Sequence, residues 1–143
     1  MRLDLYQAET ARIAHEQSSL LDGARAILLA GGTLSLLEQN GVLHALQVLV
    51  ENAIGKAKHL LKAAGEPVPV SAYDAFAALV QRGTIPPRDQ PGWNAIIGLR
   101  NRIAHDYMNI DMQQVLEITS TGRYREITRF LLAPTGADKG NSA

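Results

Sequence analysis

Between residues 42 and 64 apolar side chains recur at Val42, Leu46, Leu49, Val50, Ala53, Ala57, Leu60 and Ala64. Steps of three and four residues keep them within one arc of a helical wheel, so the stretch predicts a long helix with one face in a core. Such a stripe cannot bury itself, and the rest of the chain offers only further helices to cover it. Aromatic residues are 5% of the sequence, β-branched runs are few, and Ala and Leu recur at helical spacing. The expected fold class is therefore all-α, an up-and-down helical bundle with one or two short accessory helices. At 143 residues the chain is long enough for one core without staples.

The remaining elements follow from punctuation. A first helix is predicted from about Leu3 to Ala30, with Leu5, Ala8, Ile13, Leu20 and Leu21 as candidate buried residues, ending at Gly31–Gly32. A short helix over 33–38, capped by Thr33, is expected to break at Asn40–Gly41 before the long helix begins. "GEPVPV" from Gly65 stops that helix, and Ser71 reads as the cap of a third one to Gln81, with Tyr73, Phe76, Ala77 and Val80 inward. Tandem prolines make 82–92 a loop, and a fourth helix starts near Gly92 or Trp93. Asp111 caps a fifth over 112–119, and a last helix spans 123–132. No repeat or boundary divides the chain, which reads as one domain over 1–133 with a flexible tail at 134–143.

The absence of cysteine excludes thiolate catalysis, iron–sulfur clusters and thiolate zinc sites. No secretory leader opens the sequence, and its longest apolar run, near Ala26–Ala30, is far too short to span a bilayer, so a cytoplasmic protein away from membranes is expected. Fourteen basic residues balance 14 acidic ones, so any nucleic-acid contact would need a local patch, such as one assembled by two subunits. His15, His44 and His59 have no metal-ligand spacing, and Lys56, Lys58 and Lys62 read as a solvated helix face.

The fourth helix holds the stretch that packing does not explain, "LRNRIAHDY" at 99–107. On a regular wheel Trp93, Ile96, Ile97, Ile103 and Ala104 share an arc, and Arg100 and Tyr107 fall inside it. His105 lies roughly 140° from Arg100, on a small polar face with Asn94, Gly98 and Asn101. Each residue also has a structural explanation: Arg100 paired with a carboxylate such as Glu51, His105 stabilised at a helix end, Tyr107 in the core with its hydroxyl at the rim, Arg102 and Asp106 as a solvated pair.

Together, Arg100, His105 and Tyr107 form R-x4-H-x-Y, the arrangement of the HEPN superfamily, and "IIGLRNRIAHDYMNID" resembles the HepT-type toxins at nearly every position. The similarity covers about 40–120, including "LVENAIGKAKHLLKAAGEPVP". The resemblance implies a homodimeric ribonuclease that needs no metal or other cofactor, with Arg100 and His105 of both subunits lining a cleft at the interface, so the two need not share a face within one chain. It also implies the toxin half of a type VII toxin–antitoxin pair, restrained by an MNT-type nucleotidyltransferase antitoxin that transfers AMP to Tyr107. A histidine can shuttle protons at a ribose 2′-OH and a 5′-oxygen, and an arginine can hold the phosphate between them. Asn101, Arg102, Glu51 and Asn52 are candidate supporting residues by position. A catalytically silent HEPN dimer, serving as the binding subunit of a nucleotidyltransferase, remains the alternative.

Overall fold

The structure is a computed structural model that describes residues 3–134. Among the described residues it contains six α-helices: α1 (Leu3–Leu29), α2 (Leu36–Ala63), α3 (Ala72–Gln81), α4 (Gln90–His105), α5 (Met112–Ser120) and α6 (Tyr124–Leu132). Two single-turn 3-10 segments, Pro87–Asp89 and Tyr107–Asn109, flank α4. The sequence's proposed tail lies outside the described residues except for Pro134.

α2 is the axis of the bundle, packed against each of the other five helices. Its stripe is buried as predicted from Val42 to Ala57, while Leu60 is half-buried and Ala64 exposed. The separate helix over 33–38 does not form. Ser35 instead caps α2, accepting from the Glu38 N–H, while the Glu38 carboxylate accepts from the Ser35 N–H. This reciprocal cap starts the helix six residues before the apolar stripe. Burial of Val42, Leu43 and Leu46 then carries it through Asn40–Gly41, outweighing the roughly 1 kcal/mol that a helical glycine costs. Ser35→Ala is expected to lower stability by about 1 kcal/mol, read as a shift in the urea unfolding midpoint at unchanged slope.

α1 ends as expected. The N–H groups of Gly31 and Gly32 close back on Leu28 and Ile27, with Gly31 at a φ of +85° that favours glycine. Of the residues assigned to its buried face, Leu21 is buried and Ile13 half-buried, whereas Leu5, Ala8 and Leu20 are exposed. In α3 the inward face comprises Ala72, Ala75, Phe76 and Leu79; Tyr73 lies outside it, and Ala77 and Val80 are half-buried. Phe76 stacks on Trp93 at 4.5 Å, and Phe130 meets Trp93 edge-on at 5.2 Å. These rings lock α3, α4 and α6 together and so fix the start of α4.

Lys56 is the largest departure from the expected pattern. It is not on a solvated face: its side chain is fully buried and Nζ donates to the carbonyls of Phe130, Leu131 and Ala133 at 2.7, 3.2 and 2.6 Å. The ammonium thereby satisfies carbonyls at the end of α6 that have no partner within the helix. Lys58 reaches the Val70 carbonyl at 2.8 Å. Among the described residues no helix is long and apolar enough to cross a membrane.

Candidate functional site

α4 positions the motif. Pro91 lies in its first turn, where a missing N–H costs nothing, and Trp93, Ile96, Ile97, Leu99 and Ile103 bury its inner face. Ala104, expected on that face, is exposed. The helix ends at His105, because Asp106 adopts φ −149° and ψ 52°, although its N–H still makes the last helical bond to the Arg102 carbonyl. Tyr107 consequently leaves the wheel that placed it in line with Arg100. It opens a 3-10 turn, half exposed, and its hydroxyl donates to Asn40 Oδ1 in the second turn of α2 at 3.3 Å.

Arg100 points into the bundle, where its stem borders a small cleft with Leu46, Val50, Ile96 and Ile103. Only 17% of the side chain is exposed, and Nε stands 3.3 Å from Glu51 Oε1. That Nε is buried and makes no aligned hydrogen bond, so the carboxylate holds the guanidinium by charge rather than by a directed bond. His105 is exposed in the last turn of α4, where the helix carbonyls favour a cation. Within one chain the two do not converge: Arg100 faces α2, and His105 faces solvent beside half-buried Asn101.

The supporting candidates divide. Glu51 does meet Arg100, whereas Asn52 donates to the Val48 carbonyl of its own helix at 2.8 Å. Arg102 is not paired with Asp106; its guanidinium donates to the Asn109 carbonyl at 3.2 Å, and Asp106 accepts from Asn109 Nδ2 at 2.7 Å. These bonds brace the turn that carries Tyr107. Asn40 is the residue that reading the sequence missed, because its Asn–Gly context signals a break and hides a helix face. No group of three or more histidine, aspartate or glutamate side chains among the described residues is placed to hold a metal ion.

The chain's sequence matches the family model described as "Ribonuclease HepT-like" over residues 25–133. That span includes α2, α4 and all three motif positions. The chain belongs to the HepT-like ribonuclease family. Two solved structures share the fold of this HepT-like chain. One, a toxin–antitoxin complex with AMP-PNP, aligns at TM-score 0.73 and 18% identity over 88% of this chain and 97% of its own. The other, a tri-AMPylated Shewanella oneidensis HEPN toxin in complex with an MNT antitoxin, aligns at 0.71 and 21% identity over 92% and 96%. Comparison with curated proteins gives no significant match. The expected all-helical HEPN fold is thus found in a HepT-like chain whose Arg100, His105 and Tyr107 stand around the C-terminal end of α4.

Proposed function

We propose that this HepT-like chain is the toxin of a type VII HEPN/MNT pair: a metal-independent endoribonuclease, active as a homodimer and silenced by AMP transfer to Tyr107. The observation that carries this reading is the division at the end of α4, where His105 is open to solvent while Arg100 is held inward by Glu51. A proton-transfer group turned to solvent and a phosphate-binding group turned inward suit a cleft completed by a second copy. In that cleft His105 takes the proton of a ribose 2′-OH or supplies one to the departing 5′-oxygen. As O2′ bonds to phosphorus the P–O5′ bond breaks, and Arg100 stabilises charge on the non-bridging oxygens. The products are a 2′,3′-cyclic phosphate and a 5′-hydroxyl.

Restraint acts at Tyr107. Its oxygen bonds to the α-phosphorus of ATP, the bond to pyrophosphate breaks, and the hydroxyl proton passes to a base of the transferase. The adduct places an anion two residues from His105 and competes with RNA for the same positive ground. Support comes from the family match and from the half-exposed Tyr107 side chain, and the Shewanella oneidensis toxin is AMPylated in its own complex.

Purified wild-type protein, unmodified at Tyr107, is expected to cleave a total RNA pool in EDTA and leave cyclic phosphate ends. A folded, dimeric and inert protein would instead favour the silent-dimer alternative, for which the Arg100–Glu51 contact at 3.3 Å is the supporting observation.

A further inference from the structure

Cleavage through O2′ needs two proton transfers on opposite sides of one phosphorus. The attacking O2′ and the departing O5′ stand in line across it, so an imidazole placed to take the first proton is on the wrong side to deliver the second. In a cleft that draws Arg100 from one subunit and His105 from the other, His105 fills only one of these posts. A group suited to the other stands on α2.

Asn40, which accepts from the Tyr107 hydroxyl, and Glu51, which faces Arg100, mark one side of that helix. His44 is the only ionisable residue between them in the sequence. At about 100° per residue it lies within roughly 40° of both, about 6 Å along the axis from Asn40 and about 10 Å from Glu51. Its neighbours Leu43, Ala45 and Leu46 are buried, whereas His44 is exposed. α4 runs antiparallel to this stretch, with Arg100 at the level of Glu51 and Tyr107 at that of Asn40, which puts Ala104 level with His44. Ala104 is also exposed and offers only a methyl group, so the imidazole stands open between Tyr107 and Arg100. The titratable groups facing it are therefore Tyr107 one turn before and the Arg100–Glu51 pair two turns beyond.

We infer that His44 is a second proton-transfer group of the ribonuclease, standing in the same half of the cleft as Arg100 of its own chain and opposite His105 of the partner subunit. This rests on the reading of the chain as a dimeric ribonuclease. One imidazole takes the O2′ proton as O2′ bonds to phosphorus, and the other, already protonated, gives its proton to O5′ as the P–O5′ bond breaks. Whichever transfer His105 performs, His44 performs the other, and both return to their starting states by exchanging protons with water. An adduct on Tyr107 begins one turn from His44 and covers it before reaching Arg100.

The test measures RNA cleavage in EDTA by the full chain carrying His44→Gln, an exposed position at which glutamine maintains a helix. The variant is expected to retain its urea midpoint and its self-association in sedimentation, to lose about 100-fold or more in kcat, and to lose one limb of the bell-shaped pH dependence of kcat/KM. Subunit mixing then locates the residue. His44→Gln mixed with His105→Ala should restore about a quarter of wild-type activity, because one site of each heterodimer is intact, whereas His44→Gln mixed with Arg100→Ala should restore none. Full activity in His44→Gln, a change in KM alone, or retention of both pH limbs overturns the proposal. Recovery with Arg100→Ala, or none with His105→Ala, overturns the placement beside Arg100, and loss of self-association makes His44 an interface prop instead. Inert wild-type protein removes the ribonuclease reading and this proposal with it, a failure seen before any variant is compared.

Discussion

Replacement of His105 by alanine is expected to lower RNA cleavage by ~100- to 10,000-fold, the usual loss for a general acid–base residue, and to leave stability within ~0.5 kcal/mol of wild type. The side chain is exposed and makes no hydrogen bond with the described residues, so its removal leaves neither a cavity nor an unpaired group. Arg100→Ala should abolish cleavage as well, but at a structural cost of about 1 kcal/mol, because the stem packs beside Leu46 and Ile96 and Glu51 loses its counter-charge. Mixing the two inactive variants gives the sharper result. If each site takes Arg100 from one subunit and His105 from the other, half of a random mixture is heterodimer and each heterodimer retains one intact site. About a quarter of wild-type activity should return after subunit exchange. No recovery would show that the pair works within a single chain, against the division at the end of α4.

The second large effect is on stability against pH. Burial pulls the Lys56 ammonium down from 10.5 to about 8, so between those values the unfolded chain carries a proton that the folded chain lacks. Stability therefore rises as pH increases through this window, by up to ~3 kcal/mol, a ceiling that the three carbonyl acceptors reduce. Tyr124 acts in the opposite direction at higher pH. Burial, and next the bond to Asp22, push its hydroxyl from 10.0 up to about 12, so the folded state retains a proton that the unfolded state has lost. Urea midpoints should climb from pH 7, reach a maximum near pH 10 and fall beyond it. Lys56→Met should flatten the rising limb while preserving the fall; an unchanged rise in that variant would assign the effect to another group.

Periodicity located every long helix because burial, the force that forms them, leaves its mark at fixed spacing. It failed where one local bond decides. The Ser35–Glu38 cap and the buried residues after Gly41 override an Asn–Gly pair that looks like a break. Asp106 ends α4 and turns Tyr107 out of line with Arg100, which a regular wheel cannot anticipate. Lys56 lies seven residues beyond Leu49, on the buried stripe, so its burial was legible in its spacing, but its charge argued for solvent. The acceptors that reconcile the two belong to α6, about 75 residues away in sequence. The motif residues were visible as types in a pattern. Their partners, Glu51 for Arg100 and Asn40 for Tyr107, were set by packing; Glu51 could be named as one of several carboxylates, whereas Asn40 was concealed by its own turn signal.

The unbroken course of α2 also acts as a ruler. Asn40 and Glu51 are eleven residues apart on one continuous helix, about 16 Å along its axis. Tyr107 is tied to the first mark and Arg100 to the second. A group appended at the Tyr107 oxygen takes the place of the proton given to Asn40 and so frees Tyr107 from the first mark, while the spacing along α2 stays intact. Its influence over Arg100 would be a matter of reach, measured by the length of the adduct against a rigid gauge, rather than of any bend transmitted through the fold.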